Sequence, residues 1–235
     1  MSDFFRFPHT PHLAWLGAGS PRGDKVLQQG EADLLLAGEL VVEEKLDGAN
    51  LGFSVDLDGS LRVQNRGQYL SKPYNGQFSR LASWIGMHEQ SFIKVLGPNL
   101  ILFGEWCAAR HSLQYDCLPD WFLAFDVYDI RAGKFWSTPR RDELAKETST
   151  AVVPTIFKGK ASLSFLESLL SSEQSRFRCG GSEGIVVRKE SGDWLESRAK
   201  LVRADFLQNI TGHWSGRAIQ WNRVHECTLP SASHS

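Results

Sequence analysis

Apolar and polar residues alternate over short runs along this chain, and Gly, Pro, Asp and Asn punctuate the runs. Residues 39–45 and 51–55 carry the half-buried strand pattern. The Asp58-Gly59 turn leads to a third run, 61–64, and the three together read as a β-meander. The period then changes. Phe78, Leu81, Ile85, Phe92 and Val95 recur at roughly helical spacing until Gly97-Pro98 stops them, which predicts an amphipathic helix. Residues 99–106 and 121–130 are apolar, aromatic and β-branched, as buried strands are. Ser137-Thr138-Pro139 offers an N-cap and an early proline for a helix to about Thr148. Residues 161–170 predict another helix, and 184–189 and 194–202 read as strands paired about Ser191-Gly192-Asp193. Strands follow one another without regular intervening helices, so the predicted class is α+β with mainly antiparallel sheet rather than a doubly wound parallel sheet.

Composition narrows the picture. With 235 residues, 42% of them hydrophobic, the chain can bury one good core or two small ones. No apolar stretch approaches a membrane span, and Arg6 and Pro8 interrupt the N-terminus before a signal-peptide core can form. A soluble protein with no membrane partner, intracellular and cytoplasmic, is therefore expected. The four cysteines show no CxxC pair, which predicts reduced thiols and no zinc site. Without repeats or a low-complexity run before Pro230, the expected organisation is one domain over residues 1–229 and a flexible C-terminal tail, 230–235.

A net charge of −1 excludes a grip on nucleic acid through bulk positive charge. Locally the charge is uneven. Residues 31–58 hold eight acids against Lys45, a balance of −7, and residues 198–225 hold five cations against Asp205, a balance of +4. On charge alone these are two solvated faces.

The most informative string is VVEEKLDGAN, residues 41–50. Taken alone, Asp47-Gly48 is a hairpin turn and Lys45 an edge charge. The string has companions in order: NRG at 65–67, FGEW at 103–106, FDVYD at 125–129, SEGIVVR at 182–188 and RAKLV at 198–202. This set resembles the covalent nucleotidyltransferases, the polynucleotide ligases and mRNA capping enzymes. Within them it is most similar to the RNA ligase family that includes phage and kinetoplastid-editing nick-sealing enzymes. FPHTPHL near the N-terminus and FLQNITGHWSGRAIQWN near the C-terminus are also similar to that family, so the resemblance covers nearly the whole chain. It implies a nucleotidyltransferase, ATP-grasp-like ligase domain with antiparallel sheets flanked by helices.

The resemblance also implies an activity, that of an ATP-dependent RNA ligase. Lys45 would be adenylated, AMP would pass to an RNA 5′-phosphate, and a 3′-hydroxyl would then displace it, in RNA repair and beside end-healing enzymes. A free lysine amine has a pKa of about 10.4 and is almost wholly charged at neutral pH. Desolvation, a metal ion and the cations Arg198 and Lys200 are therefore expected to lower it. Glu44 would lie near the adenine edge, through its side chain or its backbone, and Asn50 would hydrogen bond on the phosphate or RNA side. Arg66 would hold a phosphate or the 3′-terminal nucleotide, Glu105 would accept a ribose hydroxyl, and Phe125 would stack on adenine. Glu183 would hold or orient the metal, Mg2+ or Mn2+.

Arg198 and Lys200 alternate on a strand and would converge on the triphosphate, Arg198 standing where the family usually has lysine. Arg203, Arg217 and Arg223, interleaved with His213, Trp214 and Trp221, would hold RNA. The alternative for the two tryptophans is the buried stripe of a closing helix. Competing classes are a DNA ligase or capping guanylyltransferase, and a silent nucleotide- or RNA-binding module. The first two usually carry an OB domain, for which the roughly 30 residues after the last motif leave too little chain. Intact Lys45, Glu105, Glu183 and Lys200 speak against the module.

Overall fold

The computed structural model describes residues 4–19, 21, 25–208 and 218–225. In chain order the elements are α1 (Gln29–Leu36), β1 (Leu40–Lys45), β2 (Ala49–Val55), β3 (Leu61–Asn65), α2 (Leu81–Leu96), β4 (Leu100–Trp106), β5 (Phe122–Asp129) and β6 (Lys134–Phe135). There follow α3 (Thr138–Glu147), β7 (Ala151–Val152), β8 (Thr155–Gly159), α4 (Leu163–Ser172), β9 (Gly184–Ser191), β10 (Trp194–Val202) and α5 (Ala204–Gln208). The strands form two sheets, ordered β10-β9-β1-β8 and β3-β2-β4-β5-β6. All pairings along those orders are antiparallel, and only β7 joins β5 in parallel. The expected α+β class with antiparallel sheets and flanking helices is the one observed.

Each sheet buries one face against helices. Leu51, Phe53 and Val55 of β2 meet Leu81, Trp84, Ile85, Phe92 and Leu96 of α2. Leu40 and Val42 of β1, with Ile185, Val187, Ala199 and Leu201, meet Leu35 of α1 and Leu166 and Leu170 of α4. Period-2 alternation then sends Glu43, Arg188 and Arg198 to the opposite face of their sheet. There Arg188 pairs with Asp126 of β5 at 2.8 Å, Arg198 also pairs with Asp126, and Arg141 of α3 pairs with Glu43 at 2.6 Å. A buried ionic network thus ties the two sheets together, each charge having an opposite partner as burial requires.

The meander does not form as expected. β1 pairs with β8 and β9, whereas β2 pairs with β3 and β4, so the chain leaves one sheet at Lys45 and enters the other at Ala49. Asp47-Gly48 is this crossing and not a hairpin turn. The Asp47 carboxylate accepts from the backbone N–H of Ser112 and of Leu113, both at 2.7 Å, and a Cβ on Gly48 would lie 2.5 Å from the Trp106 carbonyl. Alternation identifies a strand but carries no information about its partner.

Residues 4–13 run across the edges of both sheets: Lys200 N–H donates to Pro11 O at 2.8 Å, and Phe5 stacks on Tyr128 with ring centroids 3.7 Å apart. Residues 218–225 form an extended strap and not a closing helix. Trp221 bridges Ala109 and packs on Arg80, and Val224 bridges Leu118. Short α1, β6, β7 and β8, whose patterns are weak, were not expected. Cys107 and Cys179 are free thiols. Cys117 is disulfide-bonded, against the expectation that all four cysteines are reduced. The proposed tail, 230–235, lies outside the described residues.

Candidate active site

Between the sheets opens a cavity of about 890 Å³. Lys45, the last residue of β1, reaches it at the point where the sheets part, with Gly48, Asn50, Arg66, Glu105, Phe125, Arg198 and Lys200 also in the wall. Residues far apart in sequence are brought together here because β1 ends, β2 begins and β5 bulges at this cleft, while β4 and β10 run past it.

The Lys45 amine lies 2.7 Å from Glu183 Oε2. Desolvation acts to lower its pKa, but the charges of Glu183 and Glu105 outweigh it, and the net direction is upward. This corrects the expectation of a lowered value. Arg198 and Lys200 do not dominate the field at Lys45. Burial pushes the carboxyls of Glu105 and Glu183 up to about 7, with the Lys45 charge opposing in each case. Glu105 accepts from Gly48 N–H at 3.0 Å, which fixes it beside the crossing. Glu183, engaged with Lys45, does not itself line the cavity.

Asn50 projects into the wall from β2, and both polar atoms of its side chain are buried with no protein partner. Buried polar groups are nearly always satisfied, so this amide is prepared for a ligand. Arg66 is exposed on a loop shaped by Asn65, whose Oδ1 accepts from the N–H of Gly67 and Gln68 at 2.8 and 2.9 Å. Phe125 occupies the register shift in β5, where Phe103 faces Asp126 but Gly104 faces Ala124. This bulge turns its ring into the cavity, edge-on to Phe7 at 5.2 Å.

Three further expected positions have protein partners. Glu44 lies in the wall, but its carboxylate turns away to accept from Arg176 N–H at 3.0 Å, and its own N–H donates to Pro154 O. It therefore anchors loops through Oε2 and its N–H, while its Oε1 is buried with no hydrogen-bond partner among the described residues. Arg198 is committed to Asp126 and lies between the rings of Phe7 and Phe135, 4.5 and 4.4 Å from their centroids, so it does not converge freely with Lys200. Arg203 pairs with Asp205 at 3.2 Å outside the cavity wall, partly exposed, and the pairing does not bear on its expected hold on RNA. Arg223 is exposed on the strap, and Arg217, His213 and Trp214 lie outside the described residues.

Sequence reasoning missed Glu43, Asp126, Arg141, Arg188 and Phe7. Asp126 and Arg188 stood inside FDVYD and SEGIVVR, but nothing in those strings shows that they pair. Arg141 and Glu43 meet across 98 residues and carried no signal at all.

The sequence model for RNA ligases matches residues 38–202, more than half of the chain. The chain belongs to the RNA ligase family. No curated protein matches it. Solved structures of Naegleria gruberi RNA ligase share the fold. One with PPi has a TM-score of 0.61 at 20% identity, over 88% of this chain and 64% of that one. A variant with ATP and Mn gives 0.58 at 18% identity, over 77% and 54%, and a variant with AMP and Mn gives 0.56 at 18%, over 87% and 63%. This RNA ligase family member thus spans between 54% and 64% of the length of those structures.

Proposed function

We propose that the chain is an ATP-dependent RNA ligase acting through a lysyl-AMP intermediate, in intracellular RNA repair. The observation that carries this is the placement of Lys45. It stands at the floor of a nucleotide-sized cavity, between two carboxylates and beside the unpartnered Asn50 amide. Neighbours of the same fold with ATP and Mn, AMP and Mn, and PPi support nucleotide chemistry at this cleft.

In the first step the neutral Lys45 amine attacks the α-phosphorus of ATP. A nitrogen–phosphorus bond forms, the bond to the β-phosphate oxygen breaks, pyrophosphate departs with the electron pair, and the amine loses its proton to solvent. Next an RNA 5′-phosphate oxygen attacks the same phosphorus, and Lys45 leaves and regains a proton. Finally a 3′-hydroxyl attacks the 5′-phosphorus and loses its proton to solvent, the bond to the AMP oxygen breaks, and AMP leaves with the electron pair. Phe125 and Phe7 would face the base, and Glu105 would accept a ribose hydroxyl. Lys200, Arg66 and Asn50 would meet phosphate oxygens, with Arg198 holding its wall in shape.

Among the described residues no three His, Cys, Asp or Glu side chains form a metal cage. The donor set fits a hard cation such as Mg2+ or Mn2+ held by Glu183, triphosphate oxygens and water. Such an ion would offset triphosphate charge, and Glu183, in holding it, would support the Lys45 amine less as an ammonium. Arg223, Arg203 and Arg217 would contribute to RNA capture, and end-healing enzymes would supply 5′-phosphate and 3′-hydroxyl ends.

Incubation with labelled ATP, GTP or NAD, then denaturing electrophoresis and peptide mapping, tests the reading. AMP on Lys45 from ATP, and sealing of 5′-phosphorylated RNA, are expected. Preferential labelling by GTP would move the chain to capping chemistry, and absence of any covalent label would leave a binding module.

A further inference from the structure

The loop 107–118 carries no family motif, yet it holds the turn that follows Lys45. Tyr115, fully buried, accepts a hydrogen bond on its hydroxyl oxygen from Asp47 N–H at 2.8 Å. The same loop donates Ser112 N–H and Leu113 N–H to the Asp47 carboxylate. Asp47 therefore has both its main chain and its side chain fixed by one loop, two residues from the nucleophile.

That loop is braced in turn from the C-terminal strap. Asn222 is 3% exposed, and its Oδ1 accepts from Tyr115 N–H at 2.9 Å. Its Nδ2 donates to Cys107 O at 2.8 Å and Ala109 O at 3.4 Å, and its own N–H donates to Ala108 O. Arg223 N–H donates to Tyr115 O at 3.0 Å. A carboxamide is suited to this position, because one side chain must both accept and donate between buried backbone groups.

We infer that Tyr115 and Asn222 are positioning residues for Lys45: a relay runs from the C-terminal strap through Tyr115 to the Asp47 amide and sets the geometry of the nucleophile. The inference rests on the ligase reading for its kinetic consequence, but the relay itself is open to a separate measurement. Its strap end is contributed by a segment whose sequence suggested only RNA contacts or a closing helix. Displacement of a reacting group by about 1 Å is enough to cost on the order of a hundredfold in rate.

The test combines kinetics with amide hydrogen exchange. Tyr115→Phe removes one hydroxyl and keeps the ring in the core. It should slow Lys45 adenylation about tenfold or more, leave the KM for ATP within about threefold, and speed exchange of the Asp47 amide. Asn222→Ala should have the same signature, and the second substitution should cost less in the background of the first, because the two act along one chain of contacts. A Tyr115→Phe protein that adenylates at the wild-type rate, or slows with its Asp47 amide still protected, would overturn the inference. A rise in KM alone would do the same. If the wild-type protein takes no label from ATP, the ligase reading fails, and Asp47 exchange in Tyr115→Phe still decides whether the brace exists.

Discussion

At the residue scale, the carboxylates around Lys45 favour its ammonium form. Glu183 at 2.7 Å and Glu105 raise its pKa against the effect of burial. On the ligase reading, activation would come with the substrate, whose charge alters the surroundings of Glu183. Lys45→Arg preserves the ion pair but cannot lose its proton, so it should abolish labelling by ATP with little change in thermal midpoint, measured by electrophoresis and calorimetry. The carboxyls have a pH consequence of their own. Glu105 and Glu183 titrate near 7 in the folded protein, against about 4.3 when unfolded, so the folded state binds protons more tightly. Their contribution to stability is full below about pH 4 and is lost as pH rises to about 7. The thermal midpoint of the ligand-free protein should fall across that window, and Glu105→Gln should flatten the fall. A midpoint that rises there in wild type and in Glu105→Gln alike would mean that neither carboxyl is displaced from its ordinary range.

At the scale of elements, the site exists because β1 and β2 part. The crossing at Asp47-Gly48 demands a residue without a side chain, since a Cβ on Gly48 would meet the Trp106 carbonyl at 2.5 Å and Glu105 Cγ at 3.0 Å. Gly48→Ala should cost roughly 1–3 kcal/mol in urea unfolding, because a carbonyl in a central strand cannot move aside. The sheets are rejoined below the cavity by Asp126, which Arg188 and Arg198 share. Removing one partner from a buried ionic cluster leaves charge uncompensated. Arg198→Ala should therefore destabilise the protein by roughly 3 kcal/mol, a loss visible in urea midpoints before any assay of joining.

At the scale of the whole molecule, the N-terminal end of the described chain reaches the cleft and the strap at the other end lies outside its wall. Phe7 forms part of its wall, and the strap at 218–225 braces the loop behind Asp47. The arginine side chain of Arg223 projects from this strap into solvent while its backbone holds Tyr115. Arg223→Ala should thus leave self-adenylation near the wild-type rate and weaken joining of 5′-phosphorylated RNA, most strongly at low salt and less as salt rises, because the variant has one phosphate contact fewer to be screened. Equal loss of both steps would assign its side chain to the fold.

Most strands, α2 and the chemistry-bearing strings were legible in the sequence. Alternation and helical spacing are local consequences of burial, and a reactive lysine needs particular residue types around it. The sequence by itself determined the class of elements, the candidate nucleophile Lys45, and the companions Asn50, Arg66, Glu105, Phe125, Glu183 and Lys200. Only the tertiary structure decided that Asp47-Gly48 crosses between sheets, that Arg198 belongs to Asp126, that Glu44 holds the Arg176 amide, and that Asn222 reaches Tyr115 across 107 residues. The physical reason is common to all four. Which face a residue occupies follows from its immediate neighbours in the chain, whereas the partner of a buried charge, amide or strand edge is set by whatever the folded chain brings within about 3 Å of it, and that leaves no periodic trace in sequence.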